Sequence, residues 1–388
     1  MRDIKPTRIL FLHSDLDVGG AQRMRFTVLK KIDRSKYGIT ICCINRKGWF
    51  GERLEEIGFK VDVLGLSDKM HNLLTTFKLF RYIRKNRFHI VHSSLFHANF
   101  HARIAARLAG VPIVISEEHG ECYHFKGIKF APYIFADRTL AAFTDKIICC
   151  SANTKDALVK IEKICPGKIS VILNAVLEES LMVRSQRDEV KKELGIPDDH
   201  AVIGTIGTLS VYKAQDVLAR AFKEVLKARP KSSLLIVGDG PLREDLKRYV
   251  QGLGLSGNVV FAGQRLDVAD MLNAMDVFVL SSMSEGFPIS LLEAMYMGIP
   301  SIVPDKGGIS EIVENGKSGY LFSYPDHNDL ANAAINLLTN AGAAQKIGRA
   351  SKDKVFSNFL SARYVSQLEA IYGDLLEKKE IQINRLKT

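Results

Sequence analysis

The sequence predicts an α/β protein built from two doubly wound, Rossmann-like parallel-sheet domains. In both halves, short apolar strand-like runs alternate with amphipathic helical stretches, a pattern that implies parallel strands covered by helices on both faces. At 388 residues the chain exceeds one ordinary core, so about two domains are expected. No short-period repeat interrupts the scheme, which argues against a solenoid.

The first strand, Arg8 to His13 (RILFLH), runs into a loop ending in Gly19-Gly20, the punctuation that precedes a helix over Ala21 to Ile32. Further apolar runs predict strands at Ile39 to Ile44, Lys60 to Leu64, His89 to His92, Pro112 to Ser116, Lys146 to Ser151 and Ile169 to Leu173. Helical spacing between them predicts helices near Asn72 to Lys85, His97 to Ala109 and Asn153 to Ile161. A polar, charge-dense segment, Glu178 to Asp199, breaks the pattern and reads as the connection between domains. The scheme then repeats, with strands at Ala201 to Ile206, Ser233 to Val237, Asn258 to Ala262, Val277 to Leu280, Pro300 to Val303 and Gly319 to Phe322. Helices are expected at Gln215 to Ala228, Leu242 to Gly252, Val268 to Asn273, Pro288 to Met297, Asn328 to Thr339 and Ala343 to Phe356. A last helix, Ala362 to Leu376, carries apolar spacing at Tyr364, Leu368, Ile371 and Leu375, and Lys378 to Thr388 reads as a frayed tail.

Composition narrows the class. A hydrophobic content of 46% and a charged content of 25% fit a globular protein, and no apolar run reaches the roughly 18 residues of a spanning helix. Met1 to Thr7 is charged and leads straight into a strand, so no secretory signal and a cytoplasmic location are expected. The six cysteines form no C-x-x-C and read as reduced core thiols, with no metal site. Residues 1–180 hold 29 Lys+Arg against 18 Asp+Glu, whereas residues 181–388 hold 25 of each. All the positive excess therefore belongs to the first half and points to an anionic surface or ligand there. No nucleic-acid motif accompanies it.

In open α/β sheets ligands lie at the carboxyl ends of strands, and the unusual polar residues fall there. Gly19 and Gly20 let a ligand approach the backbone and leave helix N–H groups free for an anion, or else make a tight turn. Neither they nor Gly238-Asp239-Gly240, followed by Arg243 in place of a third glycine, form G-x-G-x-x-G, which argues against a nicotinamide dehydrogenase. His119, after Glu117-Glu118 and before Gly120, can serve a sugar hydroxyl or a reacting carbon, or be hydrogen-bonded structure. His92, His97, His101 and His124 lack ligand-like spacing and read as solvated or capping residues. Lys213 stands where the helix dipole disfavours a cation unless an anion such as a diphosphate offsets it; a lysine pointing to solvent is the plainer alternative. Glu311, after Lys306-Gly307-Gly308, adds a carboxylate at another strand end.

The stretch Ser281 to Pro304 concentrates these signals. Glu285 lies in a polar turn, Pro288 is expected at the first helical position, and the helix that follows is apolar on nearly every face. Glu293 inside that helix needs a partner. Either it caps a neighbouring loop, or it accepts hydrogen bonds from hydroxyls of a ligand whose phosphate meets the helix N-terminus. Phosphate-friendly glycines and lysine together with hydroxyl-friendly glutamates are what a nucleotide-sugar needs.

On these residues the chain resembles the GT-B-fold retaining glycosyltransferases of family four, over nearly its whole length and most strongly from Ile203 to Phe322. That family's paired-glutamate motif has seven residues between its carboxylates, as do Glu285 and Glu293. The resemblance implies that Glu285 meets the donor sugar's hydroxyls and Glu293 the ribose, with the intervening residues Gly286, Phe287, Pro288 and Ile289 placing their available backbone N–H groups by the sugar and diphosphate. It makes Lys213 the lysine that neutralises the diphosphate, Gly19 and Gly20 the first-domain glycine loop, and His119 the histidine of the catalytic centre. Gly238 to Pro241, including Gly240, and Gly263 to Arg265 match segments lining the nucleotide pocket. Two departures stand out: Thr208 occupies a position where many members carry arginine, and Ala214 replaces a frequent glycine.

The implied organisation is an acceptor-binding domain over 1–177 completed by a C-terminal helix at 358–380, a linker at 178–199, a nucleotide-sugar-binding domain over 200–357, and an interdomain cleft. The implied activity is retaining transfer of a hexosyl unit from a nucleotide-sugar, by frequency UDP-linked, without a required metal, to a glycan or lipid-linked hydroxyl in polysaccharide biosynthesis. A GT-B-fold epimerase or phosphorylase and a non-catalytic sugar-nucleotide-binding subunit are the competing readings. Asn72 to Arg87 sets Leu73, Leu74, Phe77, Phe80 and Ile83 beside Lys78, Arg81, Arg84 and Lys85. This is either an ordinary surface helix packed on its own sheet or a peripheral contact with an anionic inner membrane face. The aromatic, basic stretch from Tyr123 to Tyr133 is a candidate acceptor loop or second membrane contact.

Overall fold

The computed structural model describes residues 6–69, 72–120 and 131–385. The chain divides into two compact units, residues 1–174 with 361–388 and residues 175–360. The first unit is a parallel sheet in the order β3-β2-β1-β4-β5-β6-β7. Its strands are β1 (Thr7–Asp15), β2 (Tyr37–Arg46), β3 (Lys60–Val63), β4 (Ile90–Ser94), β5 (Ile113–Glu118), β6 (Lys146–Cys149) and β7 (Ile169–Val171). Strand order reverses between β1 and β4, which pair with Phe11 opposite His92. Helices α1 (Gly20–Lys31), α2 (Gly48–Glu56), α3 (Leu73–Asn86), α4 (Phe96–Leu108), α5 (Ala131–Ala142) and α6 (Ala152–Lys160) cover it. Ala98, Ala102, Ala105 and Ala106 give α4 a small-residue face that packs with Leu10, Leu12, Val91 and Val114 of the sheet and with Leu79 and Ile83 of α3.

The second unit repeats the plan in the order β10-β9-β8-β11-β12-β13. Its strands are β8 (Ala201–Ile206), β9 (Ser232–Val237), β10 (Val259–Gly263), β11 (Val277–Val279), β12 (Ser301–Pro304) and β13 (Tyr320–Phe322). Helices α7 (Arg187–Glu193), α8 (Gln215–Ala228), α9 (Arg243–Gly252), α10 (Val268–Asn273), α11 (Ile289–Tyr296), α12 (His327–Thr339) and α13 (Ala341–Asn358) surround it. Leu218, Phe222 and Val225 of α8 pack on Leu234 and Ile236 to form its core. Here the order reverses between β8 and β11. The chain then returns to the first unit as α14 (Ser361–Arg385), burying Tyr364, Leu368 and Tyr372 at four-residue spacing.

Several elements differ from the sequence expectation. Helices α2 and α5 were not expected; α2 opens with two glycines and an aromatic pair within GWFG, which reads as a turn. Residues 178–199 carry structure of their own. Asp270 accepts from the backbone N–H groups of Arg184 and Ser185, and Arg187 pairs with Asp276 at 2.7 Å, so the segment belongs to the second unit. Helix α14 runs well past Lys378, through a stretch of good helix formers. Pro288 caps α11 with an extended ψ of 121° and does not occupy its first turn. Cys42, Cys43, Cys149 and Cys150 are buried free thiols, but Cys165 is exposed. Cys122, His124 and residues 123–130 of the aromatic, basic stretch lie outside the described residues.

Candidate functional site

In the second unit, the carboxyl ends of β8 and β11 flank the point of strand reversal, where open α/β sheets bind ligands. After β8 the chain makes a short 3-10 turn, Val211–Lys213, and after β11 it passes through Ser281 and Ser282 to Glu285. The two segments are tied together. Met283 donates its N–H to the Tyr212 carbonyl at 2.8 Å, and Ser281 donates its hydroxyl to the Lys213 carbonyl at 2.9 Å. Lys213 Nζ thereby meets Glu285 Oε1 at 2.5 Å, and Ser282 Oγ donates to the same oxygen at 2.6 Å. Both side chains keep some solvent access, 27% for Lys213 and 11% for Glu285. The structure thus brings together two residues 72 positions apart that the sequence singled out separately.

Glycines let the neighbouring loops close over this ledge. Gly238 has φ +134°, and a Cβ there would lie 2.0 Å from the Gly207 carbonyl oxygen. A Cβ on Gly240 would lie 2.4 Å from the Leu209 carbonyl oxygen. Both glycines are therefore required by backbone packing, whatever else they do. Thr208 is exposed, and its carbonyl accepts from the Gln215 side chain at 3.1 Å. Ala214 sits in the left-handed region at φ 45°, ψ 45°, a conformation that favours the glycine it replaces. Arg265 is engaged by two carboxylates: its guanidinium grips Asp267 through two nitrogens and meets Glu193 at 2.5 Å.

Helix α11 is buried as expected. Gly286 and Pro288 are buried, Phe287 packs edge-on against Phe359 at 5.4 Å, and Ile289 opens the helix. Glu293 is 3% exposed, but it does have an interaction within the protein. Its burial alone therefore does not demand a ligand.

In the first unit, Gly19 caps α1 with an extended backbone and Gly20 begins the helix. A Cβ at Gly19 would meet only the flexible end of Gln22, so the local packing tolerates more than glycine. His119 follows β5 and lies against a cluster that the sequence reading did not detect. Glu117 is its hub. Arg25 Nη2 meets Glu117 Oε2 at 2.5 Å, Ser94 Oγ donates to that oxygen at 3.2 Å, and Tyr364 of α14 donates its hydroxyl to Oε1. His119 Nε2 lies 3.3 Å from Glu117 Oε2 and 3.1 Å from Ser94 Oγ. Arg25 also donates through Nε to His13 Nε2 at 2.9 Å and stacks over Phe11 at 4.2 Å.

Burial opposes charge on Glu117, but Arg25 and His119 hold its carboxyl well below the usual carboxylate range. Burial, then Arg25, pushes the His92 imidazole down to about 3 and lowers His13 well below its ordinary value. Glu118 is pushed up by burial and by the Asp137 carboxylate. One signal in the sequence could have revealed this centre. Arg25 falls among Met24, Thr27, Val28 and Leu29 on the buried face of α1, where a charge requires a partner. Among the described residues, no group of three or more His, Cys, Asp or Glu is arranged to hold a metal ion.

Two parallel doubly wound sheets with these strand-end residues define a GT-B fold, and comparison with known proteins agrees. A Glycosyltransferase Family 4 profile matches residues 18–179, and a Glycosyl transferases group 1 profile matches residues 186–354. A UDP-Gal:α-D-GlcNAc-diphosphoundecaprenol α-1,3-galactosyltransferase of Escherichia coli is 30% identical over 375 residues, covering 93% of this chain and 95% of that protein. An N-acetyl-α-D-glucosaminyl L-malate synthase of Bacillus anthracis is 33% identical over 216 residues, covering 55% and 56%. Among solved structures, HepE of Anabaena in complex with UDP-glucose superposes with a TM-score of 0.85 at 21% identity, over 95% of this chain and 99% of that one. WaaG, a glycosyltransferase involved in lipopolysaccharide biosynthesis, gives 0.75 at 16% identity, over 94% and 100%. The chain belongs to the glycosyltransferases of family four, the glycosyl transferases group 1, and is a hexosyltransferase.

Proposed function

We propose that the enzyme moves a hexosyl unit from a UDP-sugar to a hydroxyl of a glycan or lipid-linked acceptor, with retained anomeric configuration, in cell-surface polysaccharide synthesis. The observation that carries this reading is the Lys213–Glu285 pair at the reversal between β8 and β11. It sets a cation suited to a diphosphate beside a carboxylate suited to sugar hydroxyls. The Escherichia coli relative uses UDP-galactose and a diphosphoundecaprenol-linked acceptor, which supports the choice of donor and acceptor class.

In the proposed reaction the bond from the anomeric carbon to the diphosphate oxygen breaks, and UDP leaves with the electron pair. The acceptor oxygen bonds the same carbon from the same face, and its proton passes to a phosphate oxygen. Lys213 and the backbone N–H groups of Gly286, Phe287 and Ile289 meet the charge that develops on the leaving group, so no step requires a divalent metal. Glu285 would then hold the sugar hydroxyls, Glu293 the ribose, and His119 would act at the reacting centre. Donor binding trades the Lys213–Glu285 contact for contacts with the donor's diphosphate and its sugar.

Support for a membrane contact comes from α3. One face of it packs into the core through Thr75, Thr76, Leu79 and Ile83, while Leu73, Leu74 and Phe77 stand 75%, 53% and 55% exposed. Lys78, Arg81, Arg84 and Lys85 follow, also exposed. Flotation with anionic vesicles should lose the protein when Arg81, Arg84 and Lys85 are changed to Glu; equal binding defeats the idea.

The reaction itself is tested with UDP-galactose and a GlcNAc-diphospholipid. UDP release that requires the acceptor, with an α-linked product by NMR, is expected. A β-linked product, or UDP release indifferent to acceptor, would overturn the reading. A thermal-shift screen of other nucleotide-sugars identifies the donor by mass action.

A further inference from the structure

The Glu117 centre dictates which nitrogen of His119 carries a proton. His119 Nε2 faces two oxygens, Glu117 Oε2 at 3.3 Å and Ser94 Oγ at 3.1 Å. The ionised carboxylate can only accept. Ser94 has a single proton and lies 3.2 Å from the same carboxylate oxygen, to which it donates. Both neighbours of Nε2 are thus acceptors, and Nε2 must be the protonated nitrogen. His119 Nδ1 is buried on a side chain only 8% exposed and has no hydrogen-bond partner among the described residues.

The carboxylate is itself immobilised. Arg25 holds Oε2 at 2.5 Å, and Tyr364, 247 residues further along the chain, holds Oε1. Tyr372, two turns along α14, donates to or accepts from His92 Nδ1 at 2.7 Å and packs the same cluster from the side. Arg25 of α1, Ser94 of β4, Glu117 of β5 and Tyr364 of α14 therefore converge on the setting of one imidazole.

We infer that Glu117 is a positioning residue for transfer: with Arg25, Ser94 and Tyr364 it keeps the His119 proton on Nε2, leaving Nδ1 to accept a hydrogen bond from a hydroxyl of the bound substrate. This rests on the reading that His119 acts at the reacting centre. A ring held by its Nε2–H turns Nδ1 toward a hydroxyl without first reorienting, an advantage a freely rotating ring would lack.

Nitrogen-15 NMR of the histidine-labelled full-length enzyme, with His119 assigned from a His119→Gln spectrum, reads the tautomer directly. Protonated Nε2 and bare Nδ1 are expected; a ring protonated on Nδ1, whether alone or together with Nε2, overturns the proposal. Adding UDP-galactose and then the GlcNAc-diphospholipid shows whether a donor or an acceptor hydroxyl meets Nδ1, and a resonance that moves with neither overturns the contact. In turnover, Glu117→Gln should lower kcat about ten- to a hundredfold, the usual cost of losing an orienting partner, with donor KM unchanged. Should that variant not fold, Tyr364→Phe carries the test with a smaller fall in kcat, and wild-type rates in the folded variant would overturn the proposal. Normal transfer by His119→Ala would sink the catalytic reading of His119 itself, whereas the tautomer measurement fails or stands independently of it.

Discussion

The two units share a fold plan yet treat polar residues at their strand ends in opposite ways. In the first, Arg25 and Glu117 are 1% and 4% exposed and enclosed by Ser94, His119 and Tyr364. In the second, Lys213 and Glu285 form a pair with fewer protein contacts that remains partly open to solvent. A buried pair is rigid and costly to disturb, whereas an open pair can exchange partners at little cost. The comparison separates two kinds of site: the first unit holds a fixed imidazole, and the second offers a charge pair free to exchange partners, as the proposed contact with a diphosphate requires.

Breaking the buried pair should have the largest effect. Arg25→Ala leaves Glu117 unpaired and removes the stacking on Phe11, and should destabilise the first unit by about 3–5 kcal/mol in urea unfolding. Trp49 of α2, the single tryptophan, reports that unit by fluorescence. A loss under 1 kcal/mol would mean that the cluster is less enclosed than its geometry indicates. Lys213→Ala should do the reverse. Stability should change by no more than about 1 kcal/mol, while transfer falls about a hundredfold or more for want of charge stabilisation. Unimpaired turnover would remove the diphosphate role.

Acid should separate the units next. His13 and His92 are buried with pKa values below the ordinary 6.5, so the unfolded chain takes up protons before the folded one. Their contribution is complete above 6.5 and is lost as pH falls, for His92 down to about 3. The slope is roughly 1 kcal/mol per pH unit for each histidine. Glu118, pushed up to about 8, works against them, since its folded form takes up a proton over the same range, but one carboxyl offsets only part of what two histidines lose. The Trp49 transition should therefore move modestly to lower urea between pH 7 and pH 5, and further in Glu118→Gln; a Glu118→Gln transition that stays put would contradict the buried, neutral assignment. The smallest effect is expected at Ala214, whose φ of 45° is strained for any residue with a Cβ. Ala214→Gly should stabilise the second unit by up to about 1 kcal/mol in thermal unfolding, and a destabilised variant would show that the methyl group's packing outweighs the strain.

Much of the fold was legible because parallel strands buried on both faces appear as apolar runs, as in Ile9 to Leu12 and Leu234 to Val237. Lys213 and Glu285 were legible as unusual charges at strand ends, although nothing in their spacing of 72 residues announces that they touch. The Glu117 centre was hidden for a similar reason: its partners lie 92 and 247 positions away. Tyr364 was noticed only as part of an apolar stripe, since a tyrosine shows its ring in a periodicity and conceals its hydroxyl. Glu293 was legible as a carboxylate that needs a partner, but the spacing of its own helix does not display which partner the folded chain supplies.

The return of α14 to the first unit has a consequence for biosynthesis. A ribosome must complete all of residues 175–360 before Tyr364 exists to close the Glu117 centre. The usual order, in which the leading domain matures first during translation, is therefore interrupted. The second unit can mature while its predecessor is still waiting for one helix, and a nascent chain halted near residue 360 would carry a finished second sheet and a first sheet whose buried carboxylate still lacks its tyrosine.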